Sequence, residues 1–170
     1  MISFQYLNKS DLSTLSHALF DLLHTNMSRI APTGNSKETD FERWYDAVSD
    51  GLRQDARKIV LMYHADELIG FFQYYTNEDT FMMEEIQILP SYQGKGIFQR
   101  LYGYVLPQIS KDIAYVEAFA QVQNERSCAI LQHLGLQCVG ENEEFLHFQA
   151  PFSALLTWYG EKTVFKMEEP

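Results

Sequence analysis

LPSYQGKGIFQRLYGYV, Leu89 to Val105, is the stretch on which the reading of the chain turns. An apolar run with strand character precedes it, a helical pattern follows, and a Gly-X-Gly turn joins the two. A helix start exposes unpaired N–H groups and the positive end of the helix dipole. The chain has 13 Lys and Arg against 23 Asp and Glu, a formal net charge of −10. Yet from Pro90 to Gln108 it places Lys95 and Arg100 and no acid. Gln93-Gly94-Lys95-Gly96-Ile97 therefore reads as a nest for an anion, with glycines that let a phosphate approach the backbone. A glycine turn that only links a strand to a helix fits the same five residues. Two better-known phosphate motifs are excluded. Gln99 stands where the dinucleotide fingerprint needs its third glycine, and no GxxxxGK followed by Ser or Thr occurs.

Working outward from this turn, Lys58–Tyr63, Leu68–Tyr75 and Thr80–Leu89 read as three strands joined by Ala65-Asp66-Glu67 and Asn77-Glu78-Asp79, an antiparallel meander. Before them lie a strand over Ile2–Leu7 and a helix capped by Ser10-Asp11 that runs to about His24. A second helix follows over Lys37–Gln54, with Phe41, Trp44, Tyr45, Val48 and Leu52 on its apolar side. After the turn, Ile97–Leu106 is a helix ended by Pro107. Ala114–Ala120 is a strand, and Asn124–Leu134 is a helix closed by Gly135. Leu136–Gly140 is a strand that Phe145–Gln149 extends or repeats. Pro151–Tyr159 reads as a short helix stopped at Gly160, and Lys162–Met167 as a last strand. The class is α/β of the α+β kind. It has a mixed central sheet of about six to seven strands, antiparallel in its N-terminal half, flanked by about four helices. Residues 1–170 are read as a single domain.

Apolar residues make up 46% and charged residues 21%, the composition of an ordinary globular chain. The negative balance argues against nucleic acid and anionic membrane as partners, since both are held by clustered Lys and Arg. It mildly favours cationic small molecules, although acidity also serves solubility alone. No secretory signal or membrane-length apolar run is found. Cys128 and Cys138 form no CxxC pair, and without a signal peptide the reduced, cytoplasmic state is expected. His17, His24, His64 and His147 show no metal-binding spacing, and no metal is expected.

The strand and loop EEIQILPSYQGKGI, with Ile88, Pro90, Gln93 and Gly96 in the matching places, resemble the central motif of the GNAT N-acetyltransferase superfamily. Asn124, Ser127, Gly135 and Leu136 resemble its second motif, with Leu136 replacing an aromatic residue. The motifs span Met82 to Leu136, and the element order fits the family along most of the chain. The resemblance implies a GNAT-like fold with splayed strands and acetyl-CoA as cosubstrate. It implies that the Ile88 backbone meets the pantetheine arm and that the Asn124 side chain touches it. The pyrophosphate would lie on the N–H groups of Gln93, Gly94, Lys95, Gly96, Ile97 and Phe98. The chain departs from the pattern in three places. Phe98 replaces a small residue and fits an apolar stripe with Tyr102, Val105 and Ile109. Leu131 stands where many relatives carry the Tyr that protonates the leaving thiolate. The Pro151–Tyr159 segment lengthens the end of the chain.

The reaction so implied is acetyl transfer to a primary amine of a small molecule or peptide. It needs a proton acceptor, acting directly or through water. Glu84 and Glu85 are adjacent on a strand and point to opposite faces. Glu84 shares parity with Ile86 and Ile88, and the resemblance makes it the first choice as base, since a Glu at this place serves as base in some relatives; Glu85 is the second. The backbone N–H near Ile88 can polarise the thioester oxygen. Tyr159, His133 and Cys128 are remote candidates for the acid, and Tyr45, Phe72 and Tyr74 for an acceptor pocket. A non-catalytic CoA-binding or sensor module of the same fold is the alternative. Members of the family often pair, which leaves a homodimer open.

Overall fold

Leucines at 12, 15, 19 and 22 fall on one side of a 3.6-residue period, and the first helix forms around them. In the computed structural model, which describes residues 1–54 and 57–168, that helix is α1 (Leu12–Met27). Its start differs from the sequence expectation. Asp11 stands at its N-cap but makes no capping bond with its side chain; a 3-10 turn over Lys9–Asp11 comes first, and Asn8 caps that turn by accepting from the Ser10 N–H. The helix α2 (Lys37–Arg53) is capped by Ser36, whose hydroxyl accepts from the Thr39 N–H. Glu38 and Asp40 in its first turn complement the helix dipole.

Two compact units make up the chain: Met1–Tyr75 with Glu84–Lys95, and Thr76–Met83 with Gly96–Pro170. In the first, β1 (Ile2–Tyr6) pairs antiparallel with β2 (Arg57–His64), and β2 pairs antiparallel with β3 (Glu67–Asn77). Leu12, Leu19 and Leu22 of α1 and Val48 and Leu52 of α2 are buried in one cluster with Leu7, Ile59, Leu61 and Phe71. Each such side chain contributes roughly 1.5–3 kcal/mol by leaving water. The strand β4 (Thr80–Ile88) is divided along its length, because Thr80–Met83 belong to the second unit and Glu84–Ile88 to the first.

The second unit contains α3 (Ile97–Val105), β5 (Tyr115–Gln121), α4 (Glu125–His133), β6 (Gln137–Glu141), β7 (Phe145–Pro151) and α5 (Phe152–Glu168). Thr80–Met83 pair in parallel with Tyr115–Ala118 of β5. That ladder ends at Met83, while β4 runs on to Ile88. β5 and β6 both pair antiparallel with β7. Strand alternation is plain in β5: Val116, Ala118 and Ala120 are buried, and Tyr115 and Phe119 are exposed. The seven-stranded mixed sheet has the order β1-β2-β3-β4-β5-β7-β6.

The end of the chain overturns one expectation. Instead of a short helix and a strand over Lys162–Met167, α5 continues unbroken from Phe152 to Glu168. Gly160 does not have the positive φ of a helix stop, and open space surrounds it. A glycine within a helix costs only about 1 kcal/mol. The packing of Phe152, Leu155 and Trp158 fixes the helix ahead of it. Among the described residues no helix is long and apolar enough to cross a membrane.

Candidate active site

The glycine turn is built as the sequence implies. A 3-10 turn over Pro90–Tyr92 leads into Gln93, whose N–H donates to the Pro90 carbonyl at 3.3 Å. Gly94 and Gly96 follow with φ of 76° and 73°, in the left-handed region that costs other residues energy. A Cβ on Gly94 would meet nothing within 4 Å, so conformation and not space requires glycine there. Gly96 is the N-cap of α3, with no capping side chain and no acid in the first turn. The start of α3 thus has the features of an anion site. Ile97 is buried, and Phe98 stacks on Tyr102 with ring centroids 6.5 Å apart, as the apolar stripe requires. Lys95 is exposed and carries its ammonium over the Tyr92 ring at 5.6 Å.

Upstream, side chains hold the end of β4 in place. The Ile88 carbonyl accepts from Asn26 Nδ2 at 2.9 Å and from Gln93 Nε2 at 3.0 Å. Gly70 of β3 lets β4 come close, since a Cβ there would lie 2.5 Å from the Gln87 carbonyl oxygen. Asn26 Nδ2 also donates to Gln87 Oε1 at 2.9 Å, and Gln87 Nε2 donates to Glu85 Oε1. Glu85 is half-buried, and loss of water pushes its carboxyl up to about 7. The hydrogen bond from Gln87 pulls in the other direction, and the nearby charge of Glu84 adds to the rise.

Glu84 has different company. Its Oε1 accepts from Arg57 Nε at 2.6 Å and faces Gln73 Nε2 at 3.5 Å. This ion pair is partly buried, with side chains 31% and 21% exposed for Arg57 and Glu84. The bond to Glu84 raises the Arg57 pKa further, against the opposing effect of burial. The guanidinium also lies 5.9 Å from the Tyr75 ring centroid and bonds to the Ala47 carbonyl. The two glutamates therefore separate into one held by a cation and one held by an amide.

In the second unit, Asn124 is the N-cap of α4, and its Oδ1 accepts from the Ser127 N–H at 3.1 Å. Leu131 and Cys128 are half-buried on the same helix, and burial raises the Cys128 thiol. Tyr159 packs against Gly103 of α3, where a Cβ would stand 2.8 Å from its hydroxyl. Phe72 and Tyr74 are buried and stacked, with Tyr74 bonded to the Tyr6 hydroxyl at 2.7 Å, so they fill the interior of the first unit. Sequence reasoning missed Asn26, Arg57, Gln73 and Gln87. A signal existed for the two glutamines: they are amides in apolar strands, 6% and 5% exposed, and buried amides require partners.

The model of the acetyltransferase (GNAT) family matches residues 17–136. The chain belongs to the GNAT acetyltransferases. No curated protein matches it. Among solved structures, this GNAT chain is similar to the PaiA N-acetyltransferase of Thermoplasma acidophilum in complex with coenzyme A. The TM-score is 0.73 at 14% identity, over 89% of this chain and 99% of that one. An acetyltransferase of Thermus thermophilus gives 0.70 at 15% identity, over 89% and 97%. The spermidine N-acetyltransferase of Vibrio cholerae, in complex with CoA and spermine, gives 0.62 at 16% identity, over 91% and 98%. These likenesses establish the shared GNAT fold.

Proposed function

We propose that this GNAT chain is an acetyl-CoA-dependent N-acetyltransferase that acetylates a primary amine of a small molecule or peptide by direct transfer. The observation that carries the reading is the turn into α3. Two left-handed glycines, an uncapped helix start and an acid-free first turn suit the pyrophosphate of a nucleotide cosubstrate. Gly94, Lys95, Gly96, Ile97 and Phe98 are the residues to hold it, with Gln93 bracing the turn from behind. The β4 backbone around Ile88 takes the pantetheine arm, and Asn124 lies on the helix expected to meet it. Residues 1–170 act as one acetyl-CoA-binding domain.

Acetyl-CoA supplies the activated thioester. The acceptor nitrogen forms the C–N bond as the C–S bond breaks, and the nitrogen must lose a proton. Glu85 is assigned to take it, directly or through water, because a carboxyl near 7 accepts a proton and returns it at neutral pH. Glu84 is assigned as the charged neighbour, since Arg57 and Gln73 already occupy its Oε1. The departing thiolate takes its proton from solvent, as Leu131 offers none.

Titration calorimetry with acetyl-CoA tests the first half of this reading. Saturable one-site binding is expected in the wild type, with loss of at least tenfold in affinity for Gly96→Glu. No binding at millimolar ligand sinks the proposal. An amine panel followed by thiol release tests the second half, with Glu85→Gln expected to lose roughly 10²-fold or more in kcat/KM.

A further inference from the structure

Gly51 is an unexpected residue inside α2, where alanine would favour the helix by about 1 kcal/mol. The structure gives it a reason. A Cβ at position 51 would lie 2.4 Å from both Cδ and Nη1 of Arg57, too close for either to stay where it is. Gly51 is buried, and the Arg57 side chain lies directly against it. From there Arg57 reaches Glu84 Oε1. The glycine in the helix thus sets the path of the arginine, and the arginine sets the position of the carboxylate.

We propose that Arg57, seated on Gly51, is a positioning residue of the site: it ties down the Glu84 carboxylate and offsets its charge, leaving Glu85 as the carboxyl that takes the proton from the acceptor amine. The inference rests on the transferase reading and on Glu85 as its base. The groups that bear on Glu85 come from several elements. Glu84 is its neighbour on β4, and Gln87 on the same strand donates to it. Asn26 of α1 orients Gln87. Gln73 of β3 and Arg57 of β2 meet Glu84. Of these, Arg57 is the one cation. Without it, the Glu84 charge acts on Glu85 unopposed, which favours the protonated form of Glu85.

The test is the pH dependence of kcat/KM for wild type, Arg57→Met, Arg57→Lys and Gly51→Ala. A base must be deprotonated to act, so activity falls on the acid side. In Arg57→Met that acid limb is expected to move up by roughly half a pH unit or more. Activity then drops severalfold more at pH 6 than at pH 8. Arg57→Lys restores a cation and is expected to return most of the shift. Gly51→Ala favours the helix but displaces Arg57, so it should show the same upward shift in a chain that folds. Carboxyl ¹³C NMR titration of Glu85 in the ligand-free protein gives the same answer without turnover. An acid limb and a Glu85 titration that stay in place in both Arg57→Met and Gly51→Ala overturn the inference. If instead Glu85→Gln keeps full activity, the base assignment itself is wrong.

Discussion

Glu85 keeps its carboxyl near neutrality by burial, and the stability of the chain must follow its titration. The ordinary value is 4.5 and the folded value about 7. Between these the folded state binds more protons than the unfolded state. Stability from this group is therefore complete below about pH 4.5 and is lost as pH rises through 7. Glu85→Gln removes the charge yet keeps an acceptor for Gln87. At pH 8 the variant is expected to be more stable than wild type by on the order of 2–3 kcal/mol, with little difference near pH 4.5. Urea denaturation at the two pH values measures it, and an equal difference at both would contradict the burial of this carboxyl. The glutamate pair was legible in the sequence because two acids in an apolar strand stand out. Which partners each of the two would find was not legible. The sequence did not show that Glu84 is paired with Arg57, which is 27 residues away in the chain and arrives only through the pairing of β2, β3 and β4.

At the scale of elements, α3 carries the glycine turn at one end and rests against α5 at its side. Tyr102 meets the Trp158 ring edge-on at 5.5 Å and donates its hydroxyl to the Met83 sulfur at 3.1 Å. Trp158 Nε1 is buried with no hydrogen-bond partner among the described residues. The ring therefore stabilises through its area, and its N–H gives some of that back. Trp158→Ala is expected to cost about 2–4 kcal/mol, whereas Trp158→Phe should cost under about 1. Thermal or urea unfolding distinguishes them. A Phe variant as damaged as the Ala variant would mean that the indole N–H has a partner. The two motif segments, the meander and the helices α1 to α4 were readable because their periods and caps are local. The strand expected over Lys162–Met167 was not, because Thr163, Val164 and Phe165 favour a strand and Gly160 looks like a stop. The helix that absorbs them is set by contacts made earlier in α5.

Over the whole chain the charge of −10 is unevenly placed, and the run from Pro90 to Gln108 carries Lys95 and Arg100 and no acid. A ligand that binds only the folded state stabilises it by about 2.7 kcal/mol at 100 times its Kd. For a chain of this size that corresponds to a rise in Tm of roughly 5–10 °C with acetyl-CoA. Lys95 is exposed at the turn and its backbone is not one of the two left-handed positions, so its charge can be changed without changing the loop. Lys95→Glu is expected to weaken acetyl-CoA binding by about tenfold at low salt. The loss should shrink to a few-fold near 0.5 M salt, where the screening length is only about 4 Å. A loss that is the same at both salts would place the effect in the shape of the loop. No loss at all would mean that the backbone N–H groups hold the anion without help from the side chain.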